Sequence, residues 1–219
     1  HSYVNKEKPI ILKQKAYTLH NVGTINWHQV NYLEALNNHN ASLKIREAIR
    51  DKQGVAMSLN NLGIIYTELF NYPEALKNHL ASLKIREEIG NKEGIATCCR
   101  NIGMVKLKMH AAKEAKDWLL KGLAIAKEIE AIPHMKDLYS FLSKTDSALG
   151  NFKGAYENHK LYIACRDSLG NIENTKKTVA LQMNYDFSKK QDSLNLVQVK
   201  KDLVAQKELS KQKLIRNGF

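Results

Sequence analysis

Two sets of side chains in this chain could hold a metal or do nucleophilic chemistry. Three histidines, His39, His79 and His159, are spaced by 40 and 80 residues, and three cysteines fall at Cys98, Cys99 and Cys165. Zinc needs each ligand nitrogen at about 2 Å. Equivalent positions on stacked helices lie roughly 8–10 Å apart, so histidines one repeat apart cannot share an ion. Leu119 also interrupts the series between the second and third. Packing between repeats is therefore the expected role of these histidines. Adjacent cysteines point in different directions and do not build a disulfide framework, so all three are expected to be buried small hydrophobes. No glycine-rich phosphate loop, His-Glu-x-x-His pair or nucleophile elbow occurs, so the sequence supports neither catalysis nor a cofactor.

Asparagines offer a different chemistry. Asn21, Asn61 and Asn101 each precede a hydrophobic–glycine pair, in Asn21-Val22-Gly23, Asn61-Leu62-Gly63 and Asn101-Ile102-Gly103. An amide both donates and accepts, which matches the alternating N–H and C=O of an extended peptide. A strand rises about 3.3 Å per residue, so amides one repeat apart could grip every third residue. The competing role is an amide bonded to a neighbouring helix. His20, Asn60, Arg100 and Lys144 would decorate the same surface, and Arg100 and Lys144 would favour a carboxylate-bearing ligand.

The elements that position these residues follow from a 40-residue repeat. Ala41-Ser42-Leu43-Lys44-Ile45-Arg46-Glu47 returns as Ala81-Ser82-Leu83-Lys84-Ile85-Arg86-Glu87. Each unit reads as two antiparallel helices, the first carrying a stripe such as Leu59, Leu62, Ile65, Tyr66 and Leu69. Asn71 caps the second helix, Pro73 suits its first turn and Glu74 completes a capping-box spacing; Asn31 to Glu34 repeats this without the proline. Gly90-Asn91 marks a helix end. The glycines at 23, 63 and 103, with Ala35, Ala75, Ala115 and Ala155, let paired helices approach closely. The fourth unit is degenerate: Ser143 replaces the glycine and Asp146 stands where Tyr66 stood.

The chain has 219 residues, 43% hydrophobic content, three prolines and a net charge of +12 from 34 basic and 22 acidic residues. That balance suits anionic partners of any kind. No stretch reaches the 18 or so apolar residues of a membrane span, and no signal-peptide pattern opens the chain. Residues 1–13 fall in the register of a preceding repeat's second helix, which reads as a fragment of a longer protein. Residues 14–170 carry about four helix pairs. From residue 171 the repeat is gone, and ten Lys or Arg against five Asp or Glu accompany Phe187, Leu194, Val197, Leu203, Val204, Leu209, Leu214 and Ile215. This tail reads as one long, basic, amphipathic helix, with Lys190 and Lys201 interrupting its apolar seam.

Leu59, Leu62-Gly63, Tyr66, Ala75 and Ser82, repeated around Leu19, Val22-Gly23, Ala35 and Ser42, resemble the tetratricopeptide repeat family in a variant of roughly 40 residues. The resemblance covers about residues 14–170 and departs from the family's aromatic at Asn26, Lys106 and Asp146. It implies an all-α, right-handed superhelical solenoid of antiparallel helix pairs, with the asparagines near its concave groove. Leu181 to Phe187 and the helix ending in Lys213 to Phe219 resemble the end of the sensor region in repeat-containing membrane signalling proteins of the Bacteroidetes. There a membrane span follows, and beyond it a histidine kinase, a DNA-binding regulator or a cyclase. That implies an extracytoplasmic, periplasmic sensor that binds a peptide or protein on its groove, pairs as a homodimer through the long helix, and lies beside the inner membrane. A basic segment beside a span favours the cytoplasmic side instead. The alternatives are a scaffold for complex assembly and a cytosolic peptide-responsive transcription regulator. Nucleic-acid binding ranks last, because only Tyr185 and Phe187 could stack on bases in the tail.

Overall fold

A computed structural model describes residues 2–216, which contain eight α-helices and no strand. In order they are α1 (Ser2–His28), α2 (Tyr32–Ala48), α3 (Lys52–Glu68), α4 (Tyr72–Glu88), α5 (Lys92–Lys108), α6 (Ala112–Glu128), α7 (Ile132–Ala148) and α8 (Phe152–Arg216). From α2 onward each helix starts 20 residues after the one before, so the 40-residue repeat is built from two near-equal halves.

The turns explain this regularity. In the α1–α2 turn the Val30 N–H donates to Trp27 O at 3.0 Å and the Asn31 N–H to Asn26 O at 2.8 Å. That is the double bond of a Schellman helix end. The second bond recurs at Asp51, Asn71, Asn91, Ala111, Ala131 and Asn151, each donating to the carbonyl five residues back at 2.9 Å. Between cap and cap sits one left-handed residue: Val30, Arg50, Phe70, Gly90, His110, Glu130 or Gly150.

This geometry corrects the capping expectation. Asn71 does accept from Glu74 N, at 3.4 Å. The Asn71 N–H, however, is committed to Tyr66 O, so the Glu74 carboxylate turns to Lys77 Nζ at 3.1 Å and no reciprocal box forms. Asn31 makes no side-chain cap at all. Asp51 and Asn91, which the repeat pattern does not single out, cap α3 and α5 by accepting from Gly54 N and Gly94 N at 3.0 and 2.8 Å.

Small residues set the distance between paired helices. A Cβ on Gly23 would meet the His39 ring at 2.9 Å, and one on Gly63 would meet the His79 ring at 2.7 Å. In the third pair Leu119 takes that place over Gly103, at 2.7 Å. Ala35, Ala75 and Ala115 are fully buried. Ser42 Oγ donates to Ala16 O and Ser82 Oγ to Ala56 O, both at 2.7 Å, pinning each second helix to its first. The replacement of histidine by Leu119 lets an apolar core form across α5, α6 and α7, with Leu123, Ala126, Leu138, Tyr139 and Leu142. Cys98 and Cys99 are buried and free, beside Leu83 and Ile102; Cys165 is free and half-buried.

Where the family's aromatic is missing, polar pairs fill two of the three places. Lys106 Nζ meets Glu114 Oε2 at 2.6 Å. Asp146, 2% exposed, accepts from Lys116 Nζ at 2.6 Å, Asn158 Nδ2 at 2.8 Å and Asn151 Nδ2 at 3.2 Å.

The chain divides into two compact units, His1–Asp167 and Ser168–Phe219. No helix ends at either boundary expected from the repeat register. Helix α1 is continuous from Ser2 through residues 13 and 14, and α8 is continuous from Phe152 through residue 171. Gly170, beside the second boundary, stays within its helix, since a lone glycine weakens a helix without having to end it. Residues 217–219 lie outside the described residues, as do the surroundings of the Val204, Leu214 and Ile215 side chains.

Candidate ligand-binding face

Among the first helices, α3 meets α5 and α5 meets α7, while among the described residues no two second helices make comparable contact. The array therefore curves toward the first helices, which form the inner face of the solenoid unit. His20, Asn21, Asn60, Asn61, Arg100, Asn101 and Lys144 all lie on first helices.

The structure treats the three equivalent asparagines differently. Asn21 is exposed, Asn61 is half-buried and Asn101 is 2% exposed. Asn101 Nδ2 donates to Asn60 Oδ1 at 2.9 Å across the α3–α5 interface. Arg100 Nε and Nη2 both donate to Asn101 Oδ1 at 3.2 Å, and Arg100 Nη1 donates to Asp137 Oδ2 of α7 at 2.7 Å. A polar chain thus joins three first helices. Asp137, absent from the candidates drawn from the sequence, takes up the Arg100 charge. Its signal was its spacing, 37 residues after an arginine on the same face.

Lys144 stands apart. It is exposed, sits 5.3 Å from the Phe141 ring centroid, and borders a cleft of about 510 Å3 with Ser143, Tyr156 and His159.

Between α1 and α3 lies a cavity of about 100 Å3 lined by Thr24, Trp27, His39, Asn61, Ile64 and Ile65. Of these, sequence reasoning had named only Asn61 for binding. Thr24 and Ile64 follow Asn21 and Asn61 by three residues, and that spacing places them on the same helix face. The floor is the His39 ring, edge-on to His20 with centroids 5.2 Å apart. Burial, then the charges of His20 and Arg46, hold His39 down to about 4, and burial with Arg46 lowers His20 as well. Both rings are neutral near pH 7, so the cavity floor is polarisable but uncharged.

Among the described residues, no group of three or more His, Cys, Asp or Glu side chains could hold a metal ion. His39 and His79 are each packed over a glycine of their own pair, and His159 is exposed against Tyr162. The described residues also include no helix long and apolar enough to cross a membrane.

The tetratricopeptide repeat family matches residues 14–88 and 54–128, together more than half of the chain. The chain belongs to that family. No curated protein matches it by sequence. Solved structures are similar in fold at low identity. BtubC (BKLC) from P. vanneervenii superposes with a TM-score of 0.64 at 16% identity, over 71% of this chain and 64% of that one. Aspartyl phosphate phosphatase F from Bacillus subtilis gives 0.68 at 15% identity, over 73% and 42%. A Rap protein complexed with Competence and Sporulation Factor gives 0.65 at 18% identity, over 70% and 43%. The matched part of this chain spans less than two thirds of the length of each.

Proposed function

We propose that this chain is a non-enzymatic sensor or interaction module that binds a peptide or protein segment on its inner face. The observation that carries the reading is the α1–α3 seam. There a cavity, the exposed Asn21 and the half-buried Asn61 leave amide groups available next to an apolar recess. The family supports a protein-interaction role, and a relative in fold is complexed with Competence and Sporulation Factor.

In this reading residues 14–170 bind, through Asn21, Asn61, Asn101, His20, Asn60, Arg100 and Lys144. Asn101, Asn60 and Arg100 form the ordered floor, and Asn21 and Asn61 reach the ligand. Residues 171–219 relay the bound state by changing how two chains pair through α8. A ligand does this only by favouring one curvature of the solenoid over another. The tail's resemblance to Bacteroidetes sensor regions supports a periplasmic position before a membrane span and an output domain. Basic residues along α8 suit anionic headgroups.

Peptides selected on the full chain from a displayed random library provide the test. Asn21→Ala combined with Asn61→Ala is expected to weaken their binding at least tenfold without changing the melting temperature. Asn101→Ala is expected to lower stability by about 1–3 kcal/mol, because it leaves Asn60 Oδ1 and Arg100 Nε without their partner. Unchanged affinity in the double variant, or no selectable binder, would overturn the assignment.

A further inference from the structure

The α1–α3 seam holds a second cavity. It is an open cleft of about 520 Å3, and its walls include Lys13 and Tyr17 of α1, Arg46 of α2, and Gln53, Gly54 and Met57 of α3. Three residue pairs fix its relation to the first cavity. Tyr17 and Thr24 on α1, Met57 and Ile64 on α3, and Arg46 and His39 on antiparallel α2 are each seven residues apart. Seven helical residues rise about 10 Å at 1.5 Å each. A chain in polyproline-II conformation covers about that distance in one turn of three residues at 3.1 Å each, which returns side chains three apart to the same face, whereas a β-strand would turn them to opposite faces. The two cavities therefore share walls and floor and differ by one three-residue turn of a bound polyproline-II segment.

Their floors differ in chemistry. The first is lined by Trp27, Ile64 and Ile65 over the neutral His39 ring, and its volume suits one branched aliphatic side chain. The second rests on Arg46, which is 5% exposed. Its Nη1 donates to Gly54 O at 2.8 Å and to Ser58 Oγ at 3.0 Å, and both acceptors are neutral. Among the described residues no carboxylate lies within ion-pair distance of Arg46. Asp51, at the rim, is the nearby acid: its charge acts on Arg46 from beyond ion-pair distance, while its Oδ1 accepts from the Gly54 N–H at 3.0 Å. A buried charge without a paired counter-charge is unfavourable, and an entering carboxylate relieves it with charge-assisted hydrogen bonds. Exposed Lys13 adds a second positive charge at the mouth.

We propose that the α1–α3 seam selects a peptide segment in polyproline-II conformation carrying a branched aliphatic residue and a carboxylate three positions apart, the first seated over His39 and the second against Arg46. This rests on the reading of the inner face as a peptide-binding surface and adds the pitch and chemistry of its ligand.

The probe is a set of fluorescein-labelled octapeptide pools with amidated ends, titrated by fluorescence polarisation against the full 219-residue chain. One pool fixes leucine and glutamate three positions apart, in either order. Controls replace glutamate by lysine, replace leucine by serine, or widen the spacing to six. A further pool supplies the carboxylate as a free C-terminus in place of the glutamate side chain. The leucine–glutamate or leucine–C-terminus pool should bind at least tenfold tighter than every control, and whichever is tighter identifies the source of the carboxylate. Lys13→Glu, at an exposed position, should lower that affinity about tenfold and raise that of the leucine–lysine pool. Equal affinities across all pools would overturn this pairing while leaving peptide binding intact; no binding by any pool would overturn both.

Discussion

His79 is wholly buried against Gly63, and among the described residues neither ring nitrogen has a hydrogen-bond partner. A neutral imidazole carries one donor and one acceptor, and leaving a buried polar group unpaired costs about 1–3 kcal/mol. Burial, then the charges of Arg100 and Arg86, hold it down to about 3, and His39 stands at about 4. Both values lie below the ordinary 6.5. The unfolded chain therefore takes up protons first as pH falls, so these residues oppose folding increasingly from pH 6.5 down to 4 and have no such effect above that range. Leu119 occupies the equivalent place over Gly103. His79→Leu is therefore expected to raise stability by about 1–3 kcal/mol at pH 7 and to flatten the decline of melting temperature between pH 6.5 and 4. A variant with the same acid decline as the parent would show that His79 is not its source. The 40-residue spacing announced a packing role between repeats; His39 and His79 instead pack over the glycine of their own helix pair, and His159 is exposed. Which asparagine is free was not legible in the sequence. Asn21, Asn61 and Asn101 have identical register, and the difference lies in Asn60, Arg100 and Asp137 on neighbouring helices.

The helix pair is the element the sequence announces, through alanines, glycines and stripes at repeated positions. The turn is the element it conceals. Seven turns share one Schellman geometry, yet only Gly90 and Gly150 supply glycine at the left-handed position. Val30 adopts φ 64° there, where a β-branched side chain crowds its own backbone and costs about 1–2 kcal/mol. Part of that would be offset by the greater freedom glycine has when unfolded. Val30→Gly is expected to stabilise the solenoid by about 1 kcal/mol in urea unfolding, and Gly90→Val to destabilise it by a similar amount. A Cβ placed on Gly90 would meet nothing within 4 Å, so that loss would report backbone strain and not a clash. A loss of stability in Val30→Gly, or no loss in Gly90→Val, would refute the turn argument. The role of Asp146 escaped sequence reasoning for a related cause. It breaks the family's aromatic pattern, and only the fold brings Lys116, Asn151 and Asn158 around it to replace ring packing with a hydrogen-bonded carboxylate.

At the scale of the molecule, the unit from Ser168 onward lacks the packing that sustains helices elsewhere in the chain. Ile172, Val179, Met183, Phe187, Leu194 and Val197 are between 43% and 71% exposed. Their spacings of seven, four, four, seven and three residues put them on one stripe of a straight helix. Helices in water draw most of their stability from burying such a stripe, and a second copy of the same helix is the partner that the relay reading requires. Lys190 falls within the stripe and Lys201 continues it. A lysine inside a seam lowers the stability of a pair but fixes its register, because slipped alignments bury it against apolar neighbours. Phe187→Lys with Leu194→Lys should therefore convert a dimer to monomer in sedimentation across a concentration series, while the repeats keep their melting temperature. Lys190→Leu should tighten the dimer and loosen its register, read as cross-links between cysteines introduced at unmatched levels of α8. A parent chain that sediments as a monomer at every concentration would remove pairing from the relay and leave α8 as a solvated connector.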